Sequence, residues 1–312
     1  MKSHYPPIWR TLDALEWLRA RLWPPQLAPA TPYALLVPGV LLVGLLVLGL
    51  GYIGDYSLRE LDTRTFRLGE DYTLANYREV LDRPVYLRII WRSLLASLIV
   101  TALSLILAFP YAYLMVRTSS RWVRKFLLIS LFLPFFIGQV VRAYGWLIIL
   151  GQQGLVNTVL GWAGFEPVRM IFTYPAVLLG LVQYMLPFAV LLLAPAITAI
   201  PEEVELASES LGARWTSTFR HVVLPLARPG LVAAGVVVFT LTLTDFAMPE
   251  VLGGGKLDFI ANAVYDGFFQ ISDAGLGSAL AVVLVALGSL LVALVFGFLG
   301  VGTLGLGRED HR

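Results

Sequence analysis

The chain contains no cysteine, which excludes disulfides and thiolate metal sites. Histidine is nearly missing too: His4, His221 and His311 lie too far apart to offer a metal-ligand spacing. Charged residues make up only 14% of the 312 positions, where soluble domains carry about 25%. That small charge almost cancels, to a net +2, which argues against a nucleic-acid partner. What fills the chain instead is apolar, with 58% hydrophobic residues and a mean hydropathy of +0.76. Such a composition implies a polytopic protein whose surroundings are a lipid bilayer.

Six apolar segments, near 32–54, 89–116, 126–150, 171–199, 227–249 and 277–304, each approach the ~20 residues needed to cross a bilayer. The first is too long for a signal-peptide core and is expected to stay as an anchor. Ahead of it, residues 8–23 place Ile8, Leu12, Leu15, Leu18 and Leu22 on one helical face, and Pro24 and Pro25 follow. An interfacial helix or a loosely ordered terminus would both fit. The organisation expected is an N-terminal segment 1–31, a six-span domain 32–306 and a tail 307–312.

Orientation follows from the basic residues. The loops at 117–125 and 200–228 hold seven (Arg117, Arg121, Arg124, Lys125, Arg214, Arg220, Arg228), and those at 151–170 and 250–276 hold two, Arg169 and Lys256. The positive-inside rule therefore puts both termini and the 200–228 loop in the cytoplasm. The 55–88 loop, with six arginines, disagrees. Within it DYTLANYREVL reads as a short amphipathic helix with Thr73 as its cap, either a lid or a solvated connector. The glycines of the last span, Gly288, Gly297, Gly300 and Gly302, read as sites of close helix packing.

The stretch Ile200–Gly230 interrupts the apolar pattern with four glutamates, three arginines and a histidine. Pro201 suits a first helical position, and Glu202 and Glu203 suit the positive end of the helix dipole. At helical spacing Val204, Ala207 and Leu211 share one face, while Glu202, Glu205 and Glu209 share another with Leu206 beside them. A second helix brings Trp215, Phe219 and Val222 together and is expected to stop at Pro225. Gly212 is the hinge between the two, since glycine accepts the positive φ that ends a helix. A connector lying on the bilayer and a partner-docking loop would both produce this pattern.

This loop resembles the EAA motif of ABC-transporter permeases of the binding-protein-dependent importer type. That motif runs E-A-A, three residues, G, nine residues, I-x-L-P. Here the positions are Leu206-Ala207-Ser208, then Gly212, then Val222-Val223-Leu224-Pro225, followed by Pro229-Gly230, with Ala213 after the glycine. Leu206 and Ser208 depart from the pattern, which leaves Glu205 or Glu209 to supply the missing charge, or Leu206 to substitute apolar contact. YTLANYREVL and DFAMPEVLGGG are similar to segments of spermidine/putrescine-type permeases.

The resemblance implies an all-α type I importer permease with six spans and a two-helix cytoplasmic coupling loop. It further implies a bacterial inner-membrane transport subunit rather than an enzyme, which forms half of a pathway for a polyamine, an opine or a phosphonate. ATP and Mg would be bound by a separate ATPase dimer, and no cofactor or metal is expected here. The other implied partners are a second permease and a periplasmic or lipid-anchored solute-binding protein. An ATP-independent carrier or channel with six spans is the alternative.

Gly253-Gly254-Gly255-Lys256 lacks the spacing of a phosphate loop. Asp245, near the end of the fifth segment, is either a functional charge at membrane depth or a residue bonded to free backbone groups at a helix end. Arg142 could pair with it or bind an anionic group. Gln183 and Tyr184, ahead of Pro187, mark a kinked polar point in the fourth segment, either on a solute path or bonded between helices.

Overall fold

A computed structural model of the chain describes residues 31–62 and 64–299. The expected interfacial helix over 8–23, Gly300, Gly302 and both terminal segments lie outside the described residues. The chain divides into two units, one ending at Asp55 and the other beginning at Tyr56.

The first unit contributes helix α1 (Thr31–Ser57), 27 residues with Pro38 inside. At 1.5 Å per residue it is about 40 Å long, enough to cross a hydrocarbon core of about 30 Å. Its apolar side chains from Leu35 to Leu50 are exposed, as a helix solvated by lipid requires.

The second unit opens with a small antiparallel hairpin, β1 (Arg59–Asp62) and β2 (Arg67–Tyr72), in register Leu61 to Leu68. Hydropathy gives no sign of it, because strands this short have only two half-buried residues each and no buried one. Helix α2 (Ala75–Asp82) follows where DYTLANYREVL predicts one, and the Thr73 hydroxyl accepts from the Ala75 N–H at 3.1 Å. Its buried residues are Asn76 and Val80, while Leu74 is exposed. Asn76 donates to the Ser57 and Arg59 carbonyls, and Val80 packs with Tyr86, Ile89 and Leu276, so α2 is an anchored part of the fold.

Three helices make the centre: α3 (Pro84–Arg117), α7 (Tyr174–Thr198) and α10 (Arg228–Leu243). The buried face of α3 is built from small residues, Ser93, Ala96, Ser97, Ser104, Ala108 and Ala112. Small side chains let helix backbones approach closely where no hydrophobic effect drives association. The hydroxyls of Ser93 and Ser97 are satisfied locally: Ser93 donates to Ile89 O and Ser97 to Ser93 O. Against this face lie Leu181, Met185, Ala189 and Leu193 of α7 and Ala234 and Val238 of α10. Helix α7 runs without a break from Tyr174 to Thr198 with Pro187 and Pro195 inside it.

Four helices of the described residues are long and apolar enough to cross a membrane alone: α1, α3, α7 and the last, α13 (Ala274–Leu299). The other two expected spans are broken. Helix α4 and the 3-10 turn after it (Arg121–Phe136) meet α5 (Gln139–Ile149) at 103°, around Pro134 and Gly138. Helix α9 (Trp215–Leu226) meets α10 at 68°. Pro225 therefore does not stop α9; the bend falls after Leu226, at Ala227. Counted with each bent pair as one span, there are six.

The fifth span also ends sooner than hydropathy suggests, at Leu243 rather than 249. Residues 244–246 interrupt it, and α11 (Ala247–Gly253) begins anew. Pro249 is the third residue of α11, a position whose N–H has no intrahelical partner in any case. The remaining short helices are α6 (Leu155–Trp162), earlier in the chain, and α12 (Ile260–Tyr265). The expected glycine packing in α13 is slight. A Cβ at Gly297 would meet nothing within 4 Å, and one at Gly288 only Leu243 at 4.0 Å.

Candidate functional site: the polar loop and the joint between broken helices

The polar loop forms α8 (Glu202–Ser210) and α9, as its periodicity predicts. Gly212 has φ +84. Its N–H bonds Glu209 O at 2.8 Å and the Ala213 N–H bonds Ser208 O at 3.2 Å. Those two bonds make a Schellman motif, which satisfies carbonyls that the end of α8 would otherwise leave open. Gly212 is the hinge because only glycine takes that φ without strain.

The rotation of α8 differs from the simplest reading of its pattern. Its one buried side chain is Glu205, not the apolar set. Leu206 is 59% exposed, Leu211 89% and Val204 39%, with Ala207 and Glu209 also outward. Inward, Glu205 Oε1 accepts from Arg117 Nη2 at 2.6 Å and Nε at 2.9 Å, while Oε2 accepts from the Tyr113 hydroxyl at 2.6 Å. Glu205 thus does not supply an outward-facing charge in place of the one Leu206 lacks. A carboxylate with three charge-assisted or hydroxyl partners beneath the helix is held there more firmly than an outward one.

The aromatic face of α9 also turns inward. Phe219 packs edge-on against Phe109 at 5.2 Å and Tyr113 at 5.7 Å, and Trp215 stacks on Phe219 at 5.3 Å. Trp215 stays half-exposed, Val222, Leu224 and Pro225 are half-buried, and Ser208 bonds Thr218 across the loop at 2.9 Å. These residues fasten α9 to α3. Sequence reasoning misses Arg117, Tyr113 and Phe109 as members of this site, because nothing in their own neighbourhood marks them as partners of a loop about 90 positions away.

The second polar cluster lies where α5, beyond the break in the third span, packs against α11, beyond the interruption at 244–246. Asp245, 5% exposed, accepts from the Met248 N–H at 3.0 Å, so it caps the first turn of α11. Its other oxygen accepts from the Gln139 side-chain amide at the start of α5. The expected Asp245–Arg142 pair is not formed. Arg142 donates instead to the Pro134 and Ile137 carbonyls at the break between α4 and α5, and its guanidinium lies 5.0 Å from the Tyr184 ring centroid. Gln183 accepts from Trp146 Nε1 at 3.3 Å, an interhelical bond between α7 and α5. Arg142, Tyr184, Gln183 and Trp146 therefore form one layer; Asp245 and Gln139 form another.

Comparison with known proteins agrees with this architecture. Residues 101–301 match the family described as binding-protein-dependent transport system inner membrane component. The inner membrane ABC transporter permease protein YdcU of Escherichia coli K12 is 36% identical over 247 residues, covering 75% of this chain and 78% of that one. The spermidine/putrescine transport system permease protein PotB of the same strain is 34% identical over 215 residues, covering 68% and 78%. Among solved structures, a bacterial ABC transporter involved in import of the acidic polysaccharide alginate shares the fold with TM-score 0.72 at 19% identity, covering 92% of this chain and 100% of that one. The MetNI methionine ABC transporter shares it at 0.54 and 18%, covering 71% and 96%.

Bent spans, a capped two-helix loop and a small-residue centre define a transport permease, an all-α protein of the type I importer fold that passes the bacterial inner membrane several times. The chain belongs to the binding-protein-dependent transport system inner membrane component family and is the permease subunit of an ABC importer.

Proposed function

We propose that α8 is the face that docks on a separate ATPase subunit, and that the cargo is an organic polycation of the polyamine class. The exposed Leu206 and Leu211 on an otherwise polar helix carry the docking reading, because large apolar side chains held out by a rigid cap favour burial against a partner. ATP and Mg belong to that partner, and this chain performs no covalent chemistry. The basic residues around the α8–α9 loop put it and both termini on the cytoplasmic side. A second permease completes the pathway, and a periplasmic or lipid-anchored solute-binding protein delivers the cargo.

The cargo class rests on one observation. Asp245, almost fully buried, has only neutral partners, Gln139 and the Met248 N–H, while the cation that would neutralise it, Arg142, is engaged by backbone carbonyls. A carboxylate in that state gains from a passing cation. The relationship to PotB points the same way. Arg142 is held through Nη2 by two backbone carbonyls, while its Nε is buried without a hydrogen-bond partner.

The test is uptake by the reconstituted complex of this chain, its ATPase, its second permease and its binding protein. ATP-dependent accumulation of radiolabelled spermidine or putrescine is the expected result. Accumulation of a phosphonate or opine instead overturns the cargo reading, and accumulation without ATP shows an ATP-independent carrier.

A further inference from the structure

We propose that Arg117 is a positioning residue for transport: with Glu205 and Tyr113 it locks α8 to the end of α3, so that α8 and α3 move as one rigid body. The proposal rests on the reading of α8 as the ATPase-docking helix.

Consider what holds α8 in place. It has nine residues, too few for an isolated helix to persist in water. Its large apolar side chains are not what is buried: Leu211 is 89% exposed, Leu206 59%, and Val204, at 39%, is only partly covered. The buried member is the carboxylate of Glu205. Attachment by a charge, with the oily residues outside, inverts the usual arrangement of a surface helix. The inversion leaves the outer face free to bind and gives the inner face a directional bond.

Arg117 is the centre of that bond. It is the last residue of α3, where a cation also favours the helix C-terminus. Its guanidinium reaches three groups on two chain segments: Glu205 and, at 3.7 Å, Glu202 on α8, and the Ile200 carbonyl after α7 at 2.8 Å. Only the Glu202 contact is exposed; the Arg117 and Glu205 side chains are 14% and 11% accessible. One turn back on α3, Tyr113 donates to the other Glu205 oxygen and presents its ring to both Trp215 and Phe219 of α9. Apolar contacts alone permit sliding, whereas a planar guanidinium on a buried carboxylate fixes direction as well as distance. Helix α3 packs along α7 and α10, so any displacement of α8 enters the centre of the bundle through Arg117.

Because the chain has no cysteine, Ser210→Cys with Leu107→Cys places one spin-label pair on the exposed faces of α8 and α3. Pulsed electron–electron distances are measured in the assembled transporter without nucleotide and trapped with ATP and vanadate. The expected result is one narrow distance, the same in both states. In Glu205→Gln and in Arg117→Ala that distance broadens and becomes nucleotide-dependent, Tyr113→Phe gives a smaller broadening, and the exchange Arg117→Glu with Glu205→Arg restores the narrow value. ATPase copurification in Glu205→Gln stays within about twofold of the parent, since the docking face is untouched.

A parent distance that shifts with nucleotide overturns the proposal. So does an unchanged distance in the variants with only a lower membrane yield, the behaviour of a purely structural pair. Loss of copurification in Glu205→Gln as large as in Leu211→Asp would mean that Glu205 itself contacts the ATPase, and overturns the latch alone. Unchanged copurification in Leu211→Asp overturns the docking reading and the latch with it.

Discussion

Gln139 donates its side-chain amide to Asp245, 106 positions later, and this one contact joins the break in the third span to the interruption that follows the fifth at Leu243. Each residue begins a new helix after its break: Gln139 is the first residue of α5, and Asp245 caps α11. A break frees backbone groups that lipid cannot satisfy. Packing two breaks against each other, with polar side chains between them, provides the missing partners.

Asp245→Asn keeps an oxygen for the Met248 N–H and removes the charge. Membrane expression is expected near the parent level, with spermidine uptake reduced about tenfold or more, the loss of roughly one charged hydrogen-bonded contact. Asp245→Ala removes the cap as well, at a cost of about 1 kcal/mol in stability. Equal loss of uptake and expression in Asp245→Asn would make the residue structural only.

Gly212 has open space around its Cα: a Cβ added there would meet nothing within 4 Å, so replacement costs backbone strain and nothing else. Gly212→Ala is expected to lose about 1–2 kcal/mol. Gly212→Asn, which tolerates positive φ, loses less, and the β-branched Gly212→Val loses most. Thermal unfolding of the purified subunit in detergent should rank them Asn, Ala, Val. A flat series would show that the turn after α8 relaxes freely.

Leu206→Asp and Leu211→Asp each put a charge on the face proposed to be buried by the ATPase. Copurification of that subunit is expected to fall about tenfold or more for each, the size typical of a central interface residue. Glu209→Ala, on the same exposed side, should change it less than about twofold.

Asp258, between α11 and α12, has its carboxyl pushed above the ordinary 3.8 by burial and by the neighbouring charge of Glu250, with Arg92 acting in the opposite direction. A carboxyl raised in the folded state costs stability once ionised: the cost is absent below 3.8, grows as pH rises to the folded value and is complete above it. Asp258→Asn should therefore raise the unfolding temperature at pH 7, and the gain should vanish near pH ~3.5, below both values. A gain that persists at the lower pH would point to a cause other than charge.

Some of this was readable in the chain and some was not. The runs that became α1, α3, α7 and α13 are visible in hydropathy alone, and so is the turn at Gly212 in the spacing around it. The breaks at Gly138 and Ala227 were not, although Pro134, Pro225 and Pro229 stand beside them. Pro187 and Pro195 stand inside α7 without ending it, so proline content alone does not say where a helix is interrupted. The helical wheel of α8 groups Glu202, Glu205 and Glu209 on one face, yet only Glu205 turns inward while the other two are exposed. That depends on Arg117 and Tyr113, which lie in another helix.

Six membrane segments and a hinged two-helix loop follow from the chain read residue by residue. Those properties are local: a bilayer demands about 20 apolar residues, and a positive φ demands glycine. That Glu205 faces Arg117, that Asp245 meets Gln139 rather than Arg142, and that Leu206 and Leu211 are left outside are results of packing. A buried charge takes the partner that packing brings within about 3 Å, and in this chain those partners come from 88 and 106 positions away.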